Sequence, residues 1–203
     1  MHKNVLSQNQ LDLLPLIEDF KRSFYLVGGT AIALQIGHRR SIDFDMFKRT
    51  PLRHHEILKK IDHHQNSYTV TRRVEEQLNL LIKDVKFTFF QYPFEINAPV
   101  KLEHYLKMPT LLDLGAMKAY AMGRRAKWKD YVDLFFILKY NHPVVEVIER
   151  AQAIFGQLFS EKQFRAQLMY FKDIDYTEEI EFLISPPNPA TIQKDLTDIA
   201  LEM

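Results

Sequence analysis

Cysteine is absent from the 203 residues. Disulfides, thiolate nucleophiles and cysteine-ligated zinc are therefore excluded, and the absence agrees with a reducing compartment. A bias of charge is also missing. Lys+Arg 27 against Asp+Glu 26 leaves a net charge of +1, so any attraction to polyanions has to be local. The first residues, Met1-His2-Lys3-Asn4-Val5-Leu6, lack the apolar stretch and small-residue cleavage site of a signal peptide, which makes the cytoplasm the expected location. No run is long enough to span a bilayer: Val132-Asp133-Leu134-Phe135-Phe136-Ile137-Leu138 carries a charge and reads as core, so no membrane is expected. Internal repeats and low-complexity segments are lacking too.

What is present is a chain with 46% hydrophobic residues, enough for one sizeable core or a core with a helical appendage. Leu11, Leu14, Ile17 and Phe20 fall at helical spacing, with Pro15 tolerated or kinking the helix. Phe24-Tyr25-Leu26-Val27 predicts a short buried strand ending at Gly28-Gly29. A helix follows from Thr30 to Ile36, stopped at Gly37. From Ser41 to Phe47 the alternation of Ile42, Phe44 and Met46 with Ser41, Asp43 and Asp45 is that of a strand with one buried and one polar face. Ile57, Leu58 and Ile61 mark a short helix, and strands are expected at 68–74, 78–82 and 85–90.

From Thr110 the pattern is helical, opening on a capping box formed by Thr110 and Asp113. Helices are expected at about 110–122, 127–140, 144–157, 161–170 and 189–202. The fold class expected is α+β, with an α/β half over 1–107 and a helical half over 108–203 that completes a cleft between them.

The chemistry concentrates in two places. Two glycines between a strand and a helix let backbone N–H groups approach a phosphate, and the helix N-terminus adds partial positive charge there; Thr30 can add a hydroxyl. Asp43 and Asp45, at i and i+2 of a strand, present their carboxylates side by side, and a divalent cation relieves their repulsion. Alone, a Gly-Gly turn is most often only a turn, and Asp-x-Asp most often a solvated face. Their order along the chain makes the conjunction informative. His38, Arg39 and Arg40 lie just before the acidic strand, either to contact phosphate or, the preferred reading, to neutralise the aspartates. Arg124, Arg125, Lys127 and Lys129 form the one dense basic cluster, suited to an RNA acceptor or to a triphosphate. Paired histidines at His54-His55 and His63-His64 are read as surface residues, and the aromatics Phe87, Phe89, Phe90, Tyr92 and Phe94 chiefly as core.

Gly28-Gly29-Thr30-Ala31 through Asp43-Phe44-Asp45 resembles the first motif of the AbiEii/AbiGii-type nucleotidyltransferase toxins, within the DNA polymerase β-like superfamily. Lys118-Ala119-Tyr120-Ala121 and the run from Arg124 to Leu134 are similar to that family's downstream signature, a helical lysine followed by a basic turn and Asp-x-x-Asp. The resemblance covers roughly residues 24–140. It implies a polymerase β-like α/β half with a mixed sheet, a helical bundle after it, and transfer of a nucleoside monophosphate from an NTP to an acceptor hydroxyl with release of pyrophosphate. It also implies Mg²⁺ or Mn²⁺ on Asp43 and Asp45, the triphosphate on Gly28, Gly29 and Thr30, Lys118 against phosphate charge, and Asp130 as base or orienter. Arg40, Ser41 and Arg125 complete the expected nucleotide-binding set. Partners implied are an RNA acceptor, such as a tRNA 3′ end, and a cognate antitoxin. Transfer to a protein or small molecule, and a non-catalytic nucleotide-binding module, are the alternatives. One departure stands out: many members of the superfamily place a third carboxylate on a later strand, and Val85-Lys86-Phe87-Thr88-Phe89-Phe90 has none. Asp133 is as readily an ion-pair partner for a basic residue of its own turn.

Overall fold

The first helical stretch is broken where the chain carries proline. Gln8–Asp12 (α1) and Leu14–Glu18 (α2) meet at Leu13, and Pro15 sits in the first turn of α2, where its missing N–H costs nothing. Ser7 and Gln10 close a capping box on α1. The computed structural model describes residues 1–64, 67–122, 124 and 126–202. Among them, strand β1 is Tyr25–Val27, helix α3 Gly28–Ile36, β2 Phe44–Lys48 and α4 His54–His63. Three strands follow, β3 Thr69–Val74, β4 Gln77–Ile82 and β5 Val85–Gln91, then a small hairpin of β6 Val100–Leu102 and β7 Leu106–Met108. The helical half runs α5 Leu111–Met122, α6 Trp128–Tyr140, α7 Val144–Phe155, α8 Glu161–Leu168 and α9 Pro189–Leu201.

The strands form one mixed sheet of seven in the order β3-β4-β5-β2-β1-β7-β6. β1 is antiparallel to β2 and parallel to β7, while β2 is parallel to β5. The fold is thus mixed α+β, an N-terminal seven-stranded sheet with helices followed by helices alone. Register decides which side chains share a face. Asp45 pairs with Val27 on one side and Thr88 on the other, and Thr88 pairs with Asn79. The opposite face carries Leu78, Leu80, Phe87 and Phe89, all fully buried, with Phe89 against the rings of Phe20 and Phe24.

Three features differ from the sequence expectation. Strand β2 begins at Phe44, so Ile42 precedes the sheet and is 55% exposed instead of buried. The hairpin β6–β7 was not anticipated, because strands of three residues are too short to establish an alternation. The expected junction near 107/108 falls at the end of β7, beside β1. Elsewhere the local signals hold: Gly37 ends α3 with φ +80°, and Thr110 accepts from the Asp113 N–H at 3.1 Å while its hydroxyl donates to the Asp113 carboxylate at 2.8 Å.

Helices α5 and α6 lie side by side, with Gly115 leaving room for Ile137; a methyl group at 115 would come within 3.2 Å of it. α6 is buried on nearly every side, from Trp128 to Leu138 except Lys129. Charged residues on such a helix must find partners inside the protein. Residues 172–188 then run back as an irregular strap. Asp175 exchanges backbone hydrogen bonds with Ala126 and Trp128, and residues 181–183 do so with His38 and Arg40. The strap therefore ties the α/β half to the helical half. No helix among the described residues is long and apolar enough to cross a membrane.

Candidate active site

A cleft of about 600 Å³ opens between the sheet and helices α5 and α6. Gly28, Gly29, Arg39, Ser41, Asp43 and Asp45 line it from one side, and Lys118, Arg124, Lys127, Lys129 and Asp130 from the other. Asp43 and Asp45, singled out by their strand spacing, and Lys118 and Asp130, implied by the family resemblance, all line this one cleft. Arg125 lies outside the described residues.

The glycine turn is shaped by what approaches it. Gly28 has φ +72°, and a methyl group built on it would lie 2.1 Å from an Asp45 carboxylate oxygen. On Gly29 a methyl group would lie 2.4 Å from an Arg39 guanidinium nitrogen. Only glycine admits the backbone conformation at 28 without strain, and only the lack of a side chain at both lets the acid and the base approach. Thr30 is buried. Its hydroxyl shares a hydrogen bond of 2.9 Å with Ser41 Oγ and donates to the Asp43 carbonyl. Thr30 therefore fastens α3 to the segment carrying the aspartates, and it is absent from the cleft wall that Gly28, Gly29 and Ser41 form.

Behind the turn sits a buried charge cluster centred on Asp133. Arg39 donates to it in bidentate fashion, Nε to Oδ1 at 2.7 Å and Nη2 to Oδ2 at 2.9 Å. His38 Nε2 is 2.9 Å from Oδ1 and Lys118 Nζ 2.8 Å from Oδ2. Lys118 also donates to Asp130 Oδ1 at 2.7 Å. Among the described residues the carboxylates of Asp130 and Asp133 thus face the cations Arg39 and Lys118. Burial alone would raise the Asp133 carboxyl, but Arg39 and Lys118, with the hydrogen bonds from His38 and Arg39, hold it well below the usual range. Burial likewise works against the Lys118 ammonium, and Asp130 and Asp133 outweigh it and keep the lysine protonated.

Several expectations need amending. Asp133 pairs with Arg39 and His38, about ninety-four residues away, and with Lys118, not with a base of its own turn. Arg39 consequently braces Asp133 instead of neutralising Asp43 and Asp45. Arg40 is turned off the cleft: its guanidinium donates to Glu181 at 2.8 Å and to the carbonyls of Leu6 and Asn4. Asp130 is buried and accepts a hydrogen bond from the Lys118 ammonium at 2.7 Å, which suits it to the role of orienter. Lys127 and Lys129 both bind Glu178 of the strap; burial opposes the Glu178 charge, and the two lysines prevail and lower its pKa to about 2. Arg124 lies over the Tyr120 ring, 3.7 Å from its centre.

Sequence reasoning left Glu178 out of the site, because nothing local relates position 178 to 127. It also passed over Lys86 and Thr88, which line the cleft beside the aspartates and were visible as the polar positions alternating with Val85, Phe87 and Phe89. Thr88 stands directly beside Asp45. Among the described residues no three His, Asp or Glu side chains gather as a metal group. Asp43 and Asp45 on one cleft wall, with Gly28 leaving space against Asp45, fit a divalent cation whose remaining ligands are nucleotide oxygens and water.

Residues 16–109 match the family described as nucleotidyl transferase AbiEii toxin, type IV TA system. Over that span, a little under half of the chain, the sequence is similar to the AbiEii nucleotidyltransferase family. A protein of Aquifex aeolicus (strain VF5), aq_aa25, is 32% identical over 120 residues, which is 57% of this chain and 58% of that protein. Among solved structures, MenT4, a nucleotidyltransferase toxin from Mycobacterium tuberculosis H37Rv, superposes with a TM-score of 0.62 at 14% identity, covering 95% of this chain and 81% of that one. JHP933 from Helicobacter pylori superposes with a TM-score of 0.57 at 15% identity, covering 96% and 91%. At such identities the likeness to these structures concerns the fold. The AbiEii match contains the glycine turn and both aspartates, whereas Lys118, Asp130 and Asp133 lie beyond it.

Proposed function

We propose that this chain is a nucleotidyltransferase of the AbiEii type, transferring a nucleoside monophosphate from an NTP to an acceptor hydroxyl and acting as the toxin of a type IV toxin–antitoxin pair. The observation that carries the reading is the lining of one cleft by the Gly28-Gly29 turn, the Asp43 and Asp45 carboxylates and the Lys118 ammonium. In the reaction the acceptor oxygen attacks the α-phosphorus, the bond from that phosphorus to the β-bridging oxygen breaks, and pyrophosphate leaves. The acceptor's proton passes to water in the open cleft. Backbone N–H groups at the start of α3 would meet the phosphates, with the positive charge of Arg39 behind them, and fixed charge there stabilises the developing negative charge. Lys118 has three ammonium protons, two of them engaged by Asp130 and Asp133, which leaves one for a phosphate oxygen. Asp130 orients that ammonium. Mg²⁺ or Mn²⁺ held by Asp43 and Asp45 would supply charge neutralisation at the reacting phosphate.

The acceptor we favour is RNA, including the 3′ end of tRNA, with a separate antitoxin protein restraining the activity. The test is incubation with each α-labelled NTP, Mg²⁺ and either total tRNA or a cell lysate. Label in the RNA fraction supports the reading. Label in a protein band or a small molecule would move the acceptor to that class, and no label under any condition would refute nucleotidyl transfer.

A further inference from the structure

The dense basic turn at 124–129 suggested a polyanion site, yet its lysines are already engaged by Glu178 and Arg124 is seated on Tyr120. Among the described residues, two cations without ion-pair partners lie on the sheet instead. Lys86 on β5 and Arg72 on β3 are both exposed, and among the described residues neither has an ion-pair partner. Register places them on the cleft face. Lys86 lies two residues before Thr88, on the same face of β5, and it lines the cleft together with Asp43. Asp45 pairs with Thr88, Thr88 with Asn79 and Asn79 with Arg72, and directly paired residues point to the same side of a sheet. Arg72 is therefore three strand spacings from Asp45, about 14 Å. The hydrophobic face is the one covered by Phe20 and Phe24, so this polar face is left open. Its short side chains, Thr88 and Asn79, keep the surface low between the two cations, and no carboxylate stands on it among the paired positions of β3, β4 and β5.

We propose that this shelf, from Asp43 and Asp45 outward through Lys86, Thr88 and Asn79 to Arg72, holds the phosphodiester backbone of a single-stranded RNA acceptor. The proposal rests on the nucleotidyl-transfer reading and deepens it by naming the acceptor's track. A backbone laid along it is held by charge at Lys86 and Arg72 and by neutral hydrogen-bonding groups between them, so recognition is independent of sequence. Its terminal hydroxyl arrives at the two aspartates.

The experiment measures binding of a labelled single-stranded oligouridylate by fluorescence anisotropy between 50 and 200 mM salt. It uses the full chain, Arg72→Gln, Lys86→Gln, the double variant, and Lys162→Gln on exposed α8 as control. Each phosphate contact contributes roughly 0.7 to the slope of log K against log salt for single strands. The double variant should therefore flatten the slope by about 1.4, each single variant by about half as much, and the control not at all. Binding of a fluorescent NTP with Mg²⁺, measured separately, should be unchanged by Arg72→Gln. An unaltered slope in the double variant overturns the shelf, as does absence of RNA binding by the wild-type chain, whatever macromolecule then proves to be the acceptor. Shelf-dependent RNA binding without any NTP binding would sustain the shelf and refute nucleotidyl transfer instead.

Discussion

Replacing Asp133 with alanine removes the carboxylate on which His38, Arg39 and Lys118 converge. Arg39 and Lys118 are then left as buried cations, their side chains only 6% and 5% exposed, and Lys118 keeps only its contact with Asp130. Breaking one side of a buried ion pair costs about 3–5 kcal/mol, a large part of the roughly 5–15 kcal/mol by which domains are stable. For a chain of this size each kcal/mol moves Tm by about 2–4 °C, so Asp133→Ala should lower Tm by roughly 6–20 °C. The assay is thermal unfolding followed by circular dichroism. Asp195→Ala, which breaks the more exposed pair with Lys139, serves as the comparison and should shift Tm several-fold less. A Tm for Asp133→Ala within about 2 °C of wild type would refute the reasoning, because the cluster would then be replaceable by water.

The acid limb of stability has a defined sign. The Asp133 carboxyl is held below its usual value in the folded protein, so its contribution is present above the ordinary carboxylate range and lost as pH falls through the lower folded value; Tm against pH should lose part of its acid limb in Asp133→Asn. Glu178, with a folded pKa of about 2 against 4.5, contributes in the same sense, its share fading as pH drops from 4.5 toward 2; Glu178→Gln should trim that limb without changing Tm near neutrality by more than an exposed pair allows. Gly28→Ala forces a side chain into positive φ and onto the Asp45 carboxylate, 2.1 Å away; label transfer should fall about a hundredfold, as expected for an active group displaced by an ångström. Thr110→Ala removes the cap of α5 and should cost about 1 kcal/mol in a urea titration.

Much of the scaffold was legible because its signals are local. Period-2 alternation found β2 with Asp45 on its polar face, Asp43 falling just before the strand, and the glycines announced the turn before α3. The capping threonine at 110 and the apolar run after Asp133 announced α5 and α6. What escaped was set by distance in sequence. Nothing near Asp133 says that its partner is Arg39, and nothing near Arg40 says that a strap returning at Glu181 will claim its guanidinium. Glu178 of the same strap engages Lys127 and Lys129 of the basic turn that looked like the polyanion surface. Lys86, an ordinary polar position of an alternating strand, gained significance only once the sheet set it on the cleft wall that Asp43 also lines. Ion pairs and strand neighbours are decided by tertiary packing, which spacing along the chain does not encode.

Nucleotidyl transfer from the Asp43 and Asp45 cleft is tested most directly by comparing wild type with Asp45→Asn for incorporation of α-labelled NTP into acceptor. Both proteins should first be shown to unfold at similar temperatures. The variant keeps the side-chain shape and removes one charge, so label transfer should fall to the background of the reaction without protein. Transfer at the wild-type rate by a folded Asp45→Asn chain would contradict the assignment and place the chemistry outside this cleft.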